Sequence, residues 1–152
     1  MEYPPPKAEQ YTINLQESSK IKGGVIIIYL CNGISSSMLH DPNMKEIRMS
    51  LSESEFIELI QNITFKSIIG HQDLADALTM ITGTEILYNR QAIRVGYDDC
   101  ILLVSLDGRL PEHPRLVEYK GRLKYSFVRF EKQTTEDFAN TIAKINEIKE
   151  AC

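Results

Sequence analysis

The residue of this sequence best suited to moving a proton is His71, in the stretch Ser67-Ile68-Ile69-Gly70-His71-Gln72-Asp73-Leu74. Ser67-Ile68-Ile69 has the β-branched, apolar character of a strand end, and Gly70 lets the chain turn at little steric cost. Leu74, Leu78 and Ile81 then recur at i, i+4 and i+7, and Gly83 stands where a left-handed cap closes a helix. His71 is thereby placed on a strand-to-helix turn, where free N–H groups and the positive end of the helix dipole favour an anion. A histidine beside a phosphate is a candidate acid or base, because an imidazole with a reference pKa near ~6.5 gains and loses its proton close to neutrality. Taken by itself, the same position equally suits a histidine whose hydrogen bonds are met locally at a helix start.

A second candidate is the loop Asn32-Gly33-Ile34-Ser35-Ser36-Ser37. It follows the run Val25 to Cys31, which reads as a strand buried on both faces and as the centre of the sheet. In open α/β sheets ligands bind beyond the carboxyl ends of such strands. Asn32, Ser35 and Ser37 offer the amide and hydroxyls that a ribose or phosphate takes up. Without further support the segment is a serine-rich loop leading into a short helix at Met38-Leu39.

The elements that must position these residues follow from periodicity. Ile47, Met49 and Leu51 alternate as a strand, and Ser52-Glu53-Ser54-Glu55 forms a capping box for a helix to about Asn62, with Phe56, Leu59, Ile60 and Ile63 as its buried stripe. Thr64 to Ile69 is the strand that ends at His71. Gln91 to Val95, the turn Gly96-Tyr97-Asp98-Asp99 and Cys100 to Leu106 read as a two-stranded hairpin. Leu123 to Phe130 is the last strand, and Thr134 or Thr135 caps a terminal helix over 134–151 carrying Phe138, Ile142, Ile145 and Ile148 on one side. The expected fold is α/β: a mixed sheet of about five strands flanked by helices. Residues 1–22, with Pro4-Pro5-Pro6 and little periodicity beyond a possible edge strand at Tyr11 to Leu15, read as a poorly ordered or loosely docked arm before a domain over 23–152.

Composition narrows the function. A chain of 152 residues with 43% hydrophobic and 25% charged content suits one soluble domain with a proper core. Its apolar runs are too short for a membrane span and its start lacks a signal peptide, so a cytoplasmic protein without membrane partners is expected. The net charge of −4 speaks against tracking long nucleic acid, yet leaves room for a local arginine cluster around a small phosphorylated ligand. Cys31, Cys100 and Cys152 lie far apart and read as plain thiols, with neither a disulfide framework nor a zinc site. His40 and His113 neighbour prolines in loops. Asp73 and Asp76 complement a helix dipole, Asp98-Asp99 is turn chemistry, and no phosphate loop or dinucleotide fingerprint is present. No metal and no cofactor are called for.

Taken in order, the motifs resemble the viral type III anti-CRISPR ring nucleases, small α/β proteins that destroy the cyclic tetra-adenylate second messenger of type III CRISPR systems. The resemblance spans Val25 to Phe130. It rests on Leu30-Cys31-Asn32-Gly33-Ile34-Ser35 with Met38-Leu39 after it, on Ile69-Gly70-His71, on Asn89-Arg90, and on Arg109-Leu110-Pro111-Glu112, with His71, Arg90 and Arg109 each 19 residues apart. It implies a homodimer in the host cytoplasm holding cyclic tetra-adenylate across its two-fold axis. His71, Arg109 and Glu112 are the implied catalytic residues, and Asn32, Ser35, Ser37, Arg90 and Ser105 the implied ligand contacts. The chain departs from the family at Ser37 and Ser105, where polar amides can stand, and at His113-Pro114-Arg115, where the pattern often runs into glycine.

Metal-free cleavage of an RNA phosphodiester needs in-line attack by the 2′-hydroxyl, charge spread on the phosphoryl oxygens, and a proton for the departing 5′-oxygen. A histidine serves the last task, which is typically worth about 10²–10⁴-fold. An arginine fork serves the second, the role given to Arg109 with Arg90 as a binding residue. Glu112 either orients His71 or Arg109 or forms a plain salt bridge. The competing reading is a non-catalytic protein on the same fold, either a nucleotide sponge or a DNA-binding regulator.

Overall fold

The computed structural model describes residues 27–110, 112 and 114–151. The proposed arm, the Tyr11 to Leu15 strand, Val25 and Ile26, Pro111, His113 and Cys152 lie outside the described residues. The described chain forms a five-stranded mixed sheet with four α-helices. In chain order these are β1 (Ile28–Cys31), β2 (Met44–Leu51), α1 (Glu53–Asn62), β3 (Lys66–Ser67), α2 (Gln72–Thr82), β4 (Cys100–Leu106), α3 (Leu116–Tyr119), β5 (Leu123–Lys132) and α4 (Thr135–Ala151), with a 3₁₀ turn at Ser36–Met38. The expected α/β fold is what forms.

The strand order is β2-β5-β4-β1-β3. β4 pairs parallel with β1, placing Cys31 beside Leu103, and antiparallel with β5, placing Val104 beside Tyr125. The centre of the sheet is therefore β4 and not the strand expected over Val25 to Cys31, whose described part, β1, sits one place nearer the edge. The expected hairpin between Gln91 to Val95 and β4 does not form. Both edges of β4 are already hydrogen-bonded, to β1 and to β5, so the segment has no strand to join. It lies instead against the chain after β1: Val95 N–H donates to the Met38 carbonyl at 2.6 Å and His40 N–H to the Val95 carbonyl at 2.9 Å.

One face of the sheet carries α1 and α2. Phe56, Leu59 and Ile60 from α1 and Leu74, Ala75 and Leu78 from α2 pack with Leu30, Leu51, Leu102, Val104 and Tyr125. Phe56 is fully buried and stacks on Tyr125 with ring centroids 4.2 Å apart. The capping box is present: Ser52 accepts from the Glu55 amide at 3.1 Å and Glu55 accepts from the Ser52 amide at 2.9 Å. Gly83 closes α2 at φ 71°, in the left-handed region that only glycine enters freely.

Among the described residues the opposite face is not packed by a helix of that kind. Tyr29, Cys31, Met44, Ile101, Leu103, Val128 and Phe130 are covered by Ile34, Met38, Leu39, Ile93, Val95 and Tyr97, from irregular chain and the 3₁₀ turn. Asp41 fastens this cover by accepting from the Asn43 amide at 2.9 Å and the Tyr97 hydroxyl at 2.9 Å. Those two bonds, the amide first, hold its carboxyl below the usual carboxylate range. The Asp98-Asp99 turn is as expected, with Asp99 accepting from the Gly96 amide at 2.8 Å.

Removing the Phe56 ring deletes both its buried area and the stack on Tyr125, so Phe56→Ala is expected to lower unfolding stability by about 3–5 kcal/mol in a urea titration. Cys31 is buried, and burial pushes its thiol up to about 12. A raised thiol favours the neutral form, so its contribution to stability is complete below the unfolded-chain value of about 8.5 and is lost as pH climbs from there toward the folded value. Iodoacetamide at pH 8 is expected to leave Cys31 unmodified in the native protein and to label it once urea unfolds the chain, as read by peptide mass spectrometry.

Candidate active site

A cavity of about 480 Å³ opens where three segments of irregular chain meet. Its lining includes Asn32, Ser35, Ser37, His71, Arg90 and Gln91, over a floor that takes in Cys31 and Ile68. The Asn32 loop leaves the carboxyl end of β1, and the His71 turn follows β3, the parallel neighbour of β1. Two strands running the same way thus deliver both loops to one end of the sheet.

Short hydrogen bonds fix the three walls to one another. The Asn32 side-chain oxygen accepts from the Gly70 amide at 3.2 Å, joining the end of β1 to the start of α2. Gly70 does not take up a positive φ, so the turn does not require glycine. A Cβ there would lie 3.7 Å from the Arg90 Cγ and 4.0 Å from the Asn32 oxygen, and the missing side chain leaves the space between those two residues open. The third wall is anchored through Asn89. Its amide donates to the Ile69 carbonyl at 2.9 Å and its side-chain nitrogen to the Ser67 carbonyl at 2.9 Å, while the Ser67 hydroxyl donates to the Leu87 carbonyl at 2.6 Å. Arg90, next to the anchored Asn89, is exposed and lines the cavity.

His71 is the N-cap residue of α2, and its side chain makes no capping hydrogen bond. Its imidazole is exposed and lines the cavity instead of closing the helix. His71 brings the cavity to the start of α2, where an anion gains from the helix dipole and from Arg90 on the facing wall. Ser35 and Ser37 share a hydrogen bond at 2.9 Å, and each hydroxyl keeps capacity for a second partner. The arrangement can bind a phosphodiester between a guanidinium and a helix N-terminus, offer amide and hydroxyl contacts to a ribose, and present one imidazole to the bound group.

Among the expected site residues, Asn32, Ser35, Ser37, His71 and Arg90 are brought together, while Ser105, Arg109 and Glu112 do not line this cavity. Ser105 lines a second depression of about 310 Å³ with Ser50, Glu53, Lys124, Tyr125 and Ser126. Arg109 lies in the exposed turn that follows β4, with Gly108 at φ 90° before it. Its carbonyl accepts from Arg122 at 2.6 Å, which fastens the turn to the start of β5. Glu112 is exposed in the same connection. This connection leaves the carboxyl end of β4, the sheet end from which the Asn32 loop also departs. Gln91 and the anchoring role of Asn89 were not expected. The Asn-Arg motif carried the signal, and the pairing that turns it toward His71 is non-local. Among the described residues no three His, Cys, Asp or Glu side chains gather to hold a metal ion, and no helix is long and apolar enough to cross a membrane.

A comparison with curated proteins gives no match. Among solved structures the chain is similar to B116 of Sulfolobus turreted icosahedral virus, at 24% identity and a TM-score of 0.58, over 68% of this chain and 98% of that one. The likeness is one of fold. It covers nearly all of the viral protein and leaves about a third of this chain outside. The model of the family described as STIV B116-like matches residues 28–120, which take in β1 to α3 and every wall of the cavity. The chain belongs to the STIV B116-like family.

Proposed function

We propose that the chain is a metal-independent ring nuclease that binds and opens cyclic tetra-adenylate, silencing the antiviral signalling that this messenger drives in type III CRISPR defence. The observation that carries the reading is the convergence of His71, Arg90, Asn32, Ser35 and Ser37 on one cavity, with an imidazole uncommitted to helix capping. Membership of a family named after a viral protein is in keeping with a protein that acts against host defence from the host cytoplasm.

In this reading Arg90 and the first amides of α2 hold one phosphodiester, and Asn32 with the two serines orients the adjoining ribose. The 2′-hydroxyl attacks in line, His71 protonates the departing 5′-oxygen, and the product carries a 2′,3′-cyclic phosphate. Arg109 spreads the developing charge, and Glu112 orients it. Their distance from the cavity lining in the free chain does not conflict with those roles, because catalytic contacts often tighten only in the complex. A single cavity of about 480 Å³ is smaller than a ring of four nucleotides, which supports a homodimer sharing one ring across its two-fold axis.

Purified protein is expected to cleave cyclic tetra-adenylate in excess EDTA, with chromatography showing linear products ending in 2′,3′-cyclic phosphate. His71→Ala should slow turnover by about 10²-fold or more while sparing most of the binding, and Arg109→Ala should act on kcat more than on affinity. Tight binding by the wild type without turnover would identify a sponge. Equal cleavage by wild type and His71→Ala would make His71 structural.

A further inference from the structure

Gln91 is exposed and lines the cavity, yet the cleavage chemistry gives it no task. Its neighbour Asn89 determines how its amide stands. The Asn89 atom 2.9 Å from the Ser67 carbonyl must be Nδ2, since a carbonyl oxygen only accepts. The second hydrogen of that nitrogen meets Gln91 at 3.3 Å, so the Gln91 atom facing it must be Oε1. Turning the Gln91 amide over would set two N–H donors against each other. Gln91 is thus tethered through its oxygen to a side chain that is itself fastened to β3. Its Nε2 makes no hydrogen bond among the described residues, and Oε1 keeps a second lone pair.

We infer that Gln91 reads the base of the bound nucleotide and selects adenine; the inference rests on the nuclease reading, which supplies the ring. With the phosphodiester facing Arg90 and the start of α2, and the ribose facing Asn32 and the serines, the base falls to the rest of the lining, where Met38, Ala92 and Ile93 stand with Gln91. Aliphatic groups for the purine face and one amide for its edge suit a base, because apolar area gives contact and a few polar atoms fix orientation. Adenine presents a ring-nitrogen acceptor, N1 or N7, beside the N6 amino donor. An amide answers both, with Nε2 donating to the ring nitrogen and Oε1 accepting from N6. Hypoxanthine and guanine carry an oxygen at position 6, which would meet Oε1 acceptor to acceptor. On the Watson–Crick edge, where their N1 bears a hydrogen, an untethered amide would turn over to suit them. The bond to Asn89 opposes that turn, so the orientation that suits adenine is the one already held.

Cyclic tetra-adenylate and cyclic tetra-inosinate differ only at the base atoms that Gln91 would read, and titration calorimetry with the two rings tests the assignment. The full chain carrying His71→Ala is used, so that neither ring is consumed. It is expected to favour the adenine ring by about tenfold or more. Adding Gln91→Met should cancel most of that preference by weakening the adenine ring while sparing the inosine ring. Gln91 is exposed, so the change should leave the urea midpoint where it was and the comparison free of unfolding. A preference that survives Gln91→Met unchanged overturns the inference and leaves the nuclease reading standing, as does equal affinity for the two rings before that change. Binding of neither ring, by this chain or by the wild type, removes the nuclease reading and the inference with it.

Discussion

β4 has both of its hydrogen-bonding edges occupied, one by β1 and the other by β5, and the arrangement of the candidate site depends on that constraint. Gln91 to Val95 has the alternation of a strand but no free edge on β4 to join. It crosses the second face of the sheet and bonds to the turn after β1. That detour brings Arg90 and Gln91 opposite Asn32 and His71 and creates a third wall where a simple hairpin would have left an open sheet end. Pairing at the centre of the molecule thus decides chemistry at its rim.

The walls are locked by polar bonds as well as by the apolar packing of Met38 and Ile93. Asn32 bridges two loops through the Gly70 amide, and Asn89 with Ser67 ties the Arg90 segment to β3. These bonds satisfy backbone groups that leave regular structure at the sheet end, where unpaired polar atoms would be costly if buried. Because Asn32 lines the cavity and also holds the Gly70 turn, removing its side chain would alter ligand contacts and the position of His71 together.

Features with local causes were readable from the sequence. The Ser52 to Glu55 box, the glycine cap of α2, the Asp99 turn and the Thr134 cap depend on residues within a few positions of one another. Placement of His71 beside Asn32 followed from two loops at the ends of apolar strands, and Arg90 followed from motif order. What was not readable involved choice of partner. Alternation in Gln91 to Val95 gives the face of each side chain but not the neighbour it finds, and the length of the Val25 to Cys31 run gives burial but not rank within the sheet. Thr64 to Ile69 shortens to a two-residue strand that pairs with β1 at Lys66 and Ser67. Helix α3 spans four residues, too few for any periodicity to register. Arg109 and Glu112 stand on the connection after β4, which is fastened by Arg122, thirteen positions beyond Arg109, while Ser105 lies within β4 itself.

The two faces of the sheet also differ in how they come apart. Helices α1 and α2 are internally bonded and interlock through a shared apolar core, so opening that face amounts to unfolding the domain. The irregular cover on the other face is held by the Leu39 and Val95 bridge, the Asp41 clasp and the packing of Val95, Ile93 and Met38 on the sheet, with fewer backbone bonds to break when it lifts. Amide hydrogens of His40 and Val95 should therefore exchange with solvent through small openings, while those of β4 wait for the global event. Since the same cover forms two walls of the cavity, the ligand site is assembled on the least cooperative part of the molecule, and whatever binds there will slow exchange across a layer that the rest of the fold leaves free to breathe.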